Sequence, residues 1–270
     1  LIASDVVITP KAKPLEYRKA MKTLQRLTLA AIVCLIATVA KAQTTPATVR
    51  DLSSWKLTLP IDVDGKAHAD EIVQPALGTF QHPDFFFVNQ QQDGVVFRAP
   101  AGGSTTKGSK YPRSELREMS ADGGKSIAWG TDDGELHTMK LSLAITATPR
   151  VKPHVVCAQI HDADDDLLMI RLEGSKLMIE RNDLPNVLIN KQYQVGTPLD
   201  IAIQAGKGRV RVQCNGEQSL DWKVSRSGCY FKAGCYTQSN PERGEAADAF
   251  GEVTIYRLSV AHSAADQAAD

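Results

Sequence analysis

Residues 54–59 read SWKLTL, 94–100 GVVFRAP, 135–146 ELHTMKLSLAIT, 154–161 HVVCAQIH and 252–260 EVTIYRLSV. Over much of these segments apolar and polar positions alternate with a period of two, and β-branched or aromatic residues are frequent. That is the pattern of strands that bury one face. Two hairpins are nearly explicit. LLMIRLEGSKLMIERND turns at Glu173-Gly174-Ser175, and LDIAIQAGKGRVRVQCNGE turns near Gly206-Lys207-Gly208 and again at Asn215-Gly216, where Gly and Asn supply the left-handed backbone of tight turns. Outside residues 27–40 no long segment keeps a helical period, and there is no internal repeat or low-complexity tract. Many short strands at this spacing predict an all-β sandwich or jelly roll. The final AHSAADQAAD, residues 261–270, reads as a frayed tail.

The exception at 27–40 belongs to MKTLQRLTLAAIVCLIATVAKAQ: Met21 is followed by Lys22 and Arg26, a mainly apolar run, and Ala40-Lys41-Ala42. A basic start, an apolar centre and an A-x-A end are the marks of a secretory signal peptide. Residues 21–42 are therefore expected to be that peptide, with Cys34 part of its apolar run. Residues 1–20 are expected to be an untranslated or unstructured extension, and 43–270 a single catalytic domain exported to the periplasm or the cell exterior. The run is short for a membrane span and no stop-transfer pattern follows, so no membrane association is expected after cleavage.

Setting the peptide aside changes the charge. The whole chain has 31 Lys/Arg and 31 Asp/Glu; residues 1–42 hold 7 and 2 of these, which leaves 24 and 29 for the remainder, a net −5. Nucleic acid is excluded as a partner, because its binding needs a basic excess that displaces counterions. A polyanion fits only if the basic residues are concentrated in one groove. Four cysteines remain, Cys157, Cys214, Cys229 and Cys235. Export permits disulfides; Cys214 with Cys229 is one candidate bridge between neighbouring strands, and three full pairings stay open. There is no C-x-x-C pair or Cys/His cluster at zinc spacing, so no metal ligand is assigned. DADDD, residues 162–166, invites a structural calcium, but it lacks the glycine and distal glutamate of an EF-hand loop and reads equally as a solvated turn. No cofactor is required by this reading, and a monomer is expected.

Three stretches put chemistry on one strand face. In CYFKAGCYTQ, residues 229–238, Phe231, Ala233 and Cys235 alternate with Lys232, Gly234, Tyr236 and Gln238. The second row resembles the floor of a groove, with Gly234 leaving room for a ligand. In YPRSELREM, residues 111–119, Arg113, Glu115 and Arg117 share a face at a same-face spacing of roughly 6.5–7 Å. Glu115 is placed to hold both guanidiniums, whose forks suit a carboxylate. In CAQIHDADDD, residues 157–166, Gln159 and His161 share a face opposite Val156, Ala158 and Ile160.

The combined set offers cations in Arg113, Arg117 and Lys232, a neutral donor in Gln159, and proton carriers in His161 and Tyr236. No pair of carboxylates stands out, which argues against acid/base glycoside hydrolysis. The set suits β-elimination on a uronic acid polymer. The C5 proton becomes removable once the adjacent carboxylate is neutralised and the developing enolate-like charge is stabilised. A base then takes that proton and an acid protonates the departing O4. A free phenol, with a pKa of ~10, needs nearby cations to serve as base.

RSELRE, QIH and YFKAGCYTQ resemble the signature strands of the alginate lyases of polysaccharide lyase family 7, and DLSSWKLTLP, residues 51–60, resembles that family's opening strand. The four occur in the expected order. The resemblance implies a β-jelly roll of two curved antiparallel sheets whose concave face forms an alginate cleft. It also implies roles: Arg113 and Gln159 neutralise the carboxylate, His161 is the base on guluronate, and Tyr236 is the acid, serving as both base and acid on mannuronate. Glu115, Arg117, Lys232 and Gln238 match positions that support or line the cleft. The isoleucine of QIH leans toward guluronate-containing blocks. Cys235 stands where the family commonly has an aliphatic residue. Two alternatives remain at this stage, a lyase for another polyuronate such as glucuronan and a non-catalytic carbohydrate-binding sandwich.

Overall fold

A computed structural model describes residues 44–265; the expected signal peptide at 21–42, the extension at 1–20 and residues 266–270 lie outside them. The described chain is built almost wholly from antiparallel strands. One sheet contains β1 (Trp55–Thr58), β2 (Glu71–Ile72), β5 (Arg113–Glu118), β7 (His154–His161), β8 (Asp166–Glu173), β9 (Lys176–Arg181), β10 (Leu184–Asn190) and β14 (Tyr230–Thr237). Its strand order is β10-β9-β8-β7-β14-β5-β1-β2. The other contains β3 (Phe86–Val88), β4 (Val95–Pro100), β6 (Glu135–Ala147), β11 (Leu199–Gly206), β12 (Arg209–Cys214), β13 (Glu217–Lys223) and β15 (Phe250–Ala264), in the order β13-β12-β11-β6-β15-β4-β3. Among the described residues no helix is long and apolar enough to cross a membrane.

The period-two alternation decides which side chains enter the space between the sheets. Leu57, Leu116, Ile160, Leu168 and Phe231 from the first sheet meet Phe97, Met139, Leu143 and Ile145 from the second, all essentially without solvent exposure. Their neighbours Lys56, Arg113, Arg117, Gln159, His161 and Lys232 line a cleft on the opposite face of the first sheet. The two-residue turns form where expected: Lys207-Gly208 and Asn215-Gly216 have φ of 53°, 67°, 51° and 82°, the left-handed pairs that match the twist of the flanking strands.

Three expectations need correction. Residues 261–264 are not a frayed tail: they complete β15 and pair with Glu135–Thr138 of β6. Gly234 does not serve the ligand. A Cβ there would lie 2.6 Å from the Ser114 carbonyl oxygen and 2.8 Å from the Glu115 Cα, at φ +144°, so glycine permits the close approach of β14 to β5. The four cysteines are free, buried thiols. Cys214 ends β12 in one sheet while Cys229 bridges to Trp129 just ahead of β14 in the other, so this pair does not sit on neighbouring strands. Burial pushes the Cys235 thiol up to about 12, which leaves it an inert apolar filler.

Candidate active site

β14 runs between β5 and β7, and its register brings the three chemistry-bearing stretches together. Tyr230 lies opposite His161, Lys232 opposite both Gln159 and Arg117, Gly234 opposite Glu115, and Tyr236 opposite Arg113. His161 and Tyr236 thus sit toward opposite ends of the row, with Gln159, Lys232 and Glu115 between them. The cleft over this row has a volume of about 490 Å³ and is also lined by Lys56 and Thr58, residues 106–109 and residues 163–166. A second hollow of about 570 Å³, between Arg50, Lys140, Asp200 and Arg257, contains none of the residues singled out by sequence.

Glu115, 1% exposed, is the centre of the floor. Its Oε2 accepts from Arg113 Nη1 at 3.1 Å and from Lys232 Nζ at 2.6 Å, and its Oε1 accepts from Gln159 Nε2. Burial alone would raise the carboxyl, but Lys232 and Arg113 outweigh it and hold it below the usual carboxylate range. For Lys232 burial dominates: it lowers the ammonium to about 8, with Glu115 pulling in the other direction. Glu115 does not hold Arg117, contrary to the sequence reading. The Arg117 guanidinium lies over the Tyr230 ring at 3.9 Å and donates to the Glu118 carbonyl at 3.2 Å. Lys232, arriving on the neighbouring strand, takes the second place on Glu115.

His161 is half-buried, and its Nδ1 lies 2.7 Å from the Asp162 carbonyl oxygen. A carbonyl only accepts, so Nδ1 carries the hydrogen and Nε2 keeps a lone pair. Tyr230 stacks on the ring at 5.5 Å and 20°, with its hydroxyl 3.2 Å from Nδ1. Burial, followed by the positive charge of Lys232, lowers the imidazole below its ordinary value. The DADDD turn supports this residue: Asp162 accepts from the Asp164 and Asp165 amides and from Arg226.

Tyr236 has the Arg113 guanidinium over its ring at 3.8 Å and its hydroxyl 3.3 Å from Ser109 Oγ. Gln238 is not brought into the cleft. It follows the end of β14, is 8% exposed, and accepts from Arg171 Nη1 at 3.1 Å. Sequence reasoning missed Ser109, which lies in a Gly/Ser-rich loop without periodicity. It also missed Lys56 and Thr58, although their alternation with Trp55, Leu57 and Leu59 in SWKLTL carried the signal. Two buried polar atoms of the floor, Arg113 Nε and Gln159 Oε1, have no protein partner.

The family model for alginate lyase matches residues 50–262. The chain belongs to the alginate lyase family. A solved alginate lyase of polysaccharide lyase family 7, AlgAT5, is 47% identical with a TM-score of 0.78, over 81% of this chain and 99% of that one. The alginate lyase from Corynebacterium sp. is 41% identical with a TM-score of 0.77, over 81% of this chain and 98% of that one. A curated alginate lyase from Klebsiella pneumoniae is 37% identical over 102 residues, which is 37% of this chain and 33% of that protein. The chain therefore spans about a third of the length of that curated relative. As a family 7 member it has the expected two-sheet fold of these lyases, with the cleft face carrying RSELRE, QIH and YFKAGCYTQ.

Proposed function

We propose that this chain cleaves alginate by β-elimination, leaving a 4,5-unsaturated uronate at the new end. The observation that carries the reading is the convergence of Arg113, Lys232 and Gln159 on one buried carboxylate, between an imidazole with a free Nε2 and a phenol. Glu115 orients the donors, and the uronate carboxylate is the group that satisfies what remains of their hydrogen-bonding capacity. Arg113 brings a planar fork with its Nε unpaired, and Gln159 retains a second amide hydrogen beside its bond to Glu115. Neutralised in this way, the C6 carboxylate draws off the charge that develops as the C5 proton leaves.

On guluronate, His161 Nε2 takes the C5 proton and Tyr236 gives its own to O4. On mannuronate, where proton and leaving group share one side of the ring, Tyr236 takes the first and delivers it to the second. Arg117 adds positive charge beside the floor, whereas Lys56 is paired with Glu71 at 2.7 Å. Ile160, buried among core residues, acts on block choice only through packing. Gln238 is assigned no contact with the sugar. Each step is assigned to a side chain of this protein, and no bound cofactor or calcium enters the reading. Export to the periplasm or exterior rests on the 21–42 pattern, and a single chain holds every group the reaction uses.

The test is incubation with polyguluronate, polymannuronate and glucuronan, following near-ultraviolet absorbance from unsaturated ends. Absorbance rising with the alginate blocks is the expected result; a rise with glucuronan alone would reassign the substrate, and none with any polymer would overturn the reading.

A further inference from the structure

We infer that Ser109 is a positioning residue of the reaction, a hydroxyl that donates to the Tyr236 oxygen whenever that oxygen is an anion. The inference rests on the elimination reading above. Ser109 Oγ has four neighbours. The Tyr111 carbonyl oxygen lies at 3.1 Å, the Tyr111 amide nitrogen at 3.2 Å, Arg113 Nη2 at 3.2 Å and the Tyr236 hydroxyl at 3.3 Å. A serine hydroxyl has one hydrogen and two lone pairs. The Tyr111 amide and the Arg113 guanidinium only donate, and together they fill both lone pairs. What Ser109 has left to offer is its single proton, for which the Tyr111 carbonyl and the Tyr236 oxygen compete.

The competition turns on the charge of Tyr236. A neutral phenol is no better an acceptor than a backbone carbonyl, and the proton rests on Tyr111. A phenolate is far better, because a hydrogen bond to an ionised acceptor is stronger than one between neutral groups. Rotation about one bond then turns the Ser109 hydroxyl to Tyr236. Ser109 keeps its proton throughout: the proton lost by Tyr236 goes to O4, and on mannuronate the one it gains comes from C5.

The loop around Ser109 is fixed from both sides. The Ser109 amide donates to the Thr106 carbonyl at 2.9 Å, and Asn240 Nδ2 donates to the Lys110 carbonyl at 2.9 Å. The Ser109 oxygen is therefore set in place before substrate arrives, and rotation of its hydroxyl hydrogen is the one adjustment the anion requires. The charged groups around Tyr236 are Arg113 and Glu115 from β5, Lys232 on its own strand, Lys107 in the loop, and Lys152, which reaches Tyr111 at 3.3 Å. Among these contacts Ser109 is the uncharged donor that touches the reacting oxygen itself.

The experiment compares the parent with Ser109→Ala and Ser109→Thr on polymannuronate, measuring kcat and KM across pH and the thermal midpoint. On the acid side of the profile Ser109→Ala is expected to lose about tenfold in kcat with little change in KM, because a hydrogen bond to an ionised acceptor is gone and less of Tyr236 is in its base form. The rising limb of its kcat profile moves to higher pH, because the anion has lost a partner, and Ser109→Thr retains the parent rate and profile. Ser109→Ala with the parent's kcat and profile overturns the inference, as does a loss confined to KM, or Ser109→Thr as slow as Ser109→Ala. A parent that yields no unsaturated ends on any polyuronate brings down the elimination reading and this inference together, which distinguishes that failure from the failure of Ser109 alone.

Discussion

His161 shows how one backbone carbonyl sets the chemistry of a side chain. With its Nδ1 hydrogen held by Asp162, the imidazole presents an unprotonated Nε2, and burial together with Lys232 favours the neutral form. The base form of a group with a lowered pKa persists to lower pH. On guluronate-rich alginate the acid limb of kcat/KM is therefore expected to fall below the ordinary histidine value of about 6.5. A pH-rate profile checks this, and a limb above that value would remove His161 as the base. Much of this placement was legible because Gln159, His161, Lys232 and Tyr236 obey strand alternation and line one cleft. The partners of Glu115 were only partly so. Within one strand Arg113 and Arg117 are equivalent neighbours of Glu115, and the strand brought alongside by β14 decides that Lys232 replaces Arg117.

At the scale of the element, β14 has a different task on each face. Phe231, Ala233 and Cys235 are buried without exposure, while Tyr230, Lys232 and Tyr236 line the cleft. Between the rows, Gly234 allows the Ser114 carbonyl to come where a Cβ would stand. Gly234→Ala is expected to destabilise the domain by on the order of 1–3 kcal/mol from backbone conformation alone, with the contact to Ser114 adding to it. Chemical denaturation measures this, and an unchanged midpoint would contradict the tight approach of β14 to β5. The strands themselves were readable where long alternating runs met Gly or Asn turns, as at 166–181 and 199–216. β10, with Pro185 among its five exposed positions, and the two-residue β2 have too little apolar periodicity to announce themselves. The loop that carries Ser109 has none, so its place over Tyr236 is set by tertiary contacts alone.

Across the whole molecule, a polar chain joins the two sheets inside a largely apolar interface. Glu118, on the core side of β5, accepts from the Phe231 amide at 2.9 Å, from Trp129 Nε1 at 3.0 Å and from His262 Nε2 at 2.8 Å. His262 Nδ1 lies 2.7 Å from His137 Nδ1, whose Nε2 is 3.1 Å from both carboxylate oxygens of Asp133. Ionised carboxylates only accept, so the Nε2 atom of each histidine carries the hydrogen that faces Glu118 or Asp133. The residue that closes this chain lies in the segment that reads as a tail, because its polar, small-residue sequence carries no strand period and its partners are more than a hundred residues away.

The chain has a consequence for stability. The hydrogen bond to Glu118 raises the His262 pKa above its ordinary value. A folded pKa above the unfolded one means that the stabilisation is complete below about 6.5 and is lost as pH rises through the folded value. The thermal midpoint of the parent is expected to fall over that interval, and His262→Gln to flatten the dependence. A variant with the parent's full pH dependence would exclude His262 as its source.

The central claim is that Tyr236 moves the proton that ends the glycosidic bond. It is tested most directly by mixing the parent and Tyr236→Phe with alginate, and following unsaturated ends by near-ultraviolet absorbance and polymer binding by calorimetry. The account predicts rising absorbance for the parent and, for the variant, none despite retained binding. A variant that cleaves alginate at near the parent's rate would contradict it.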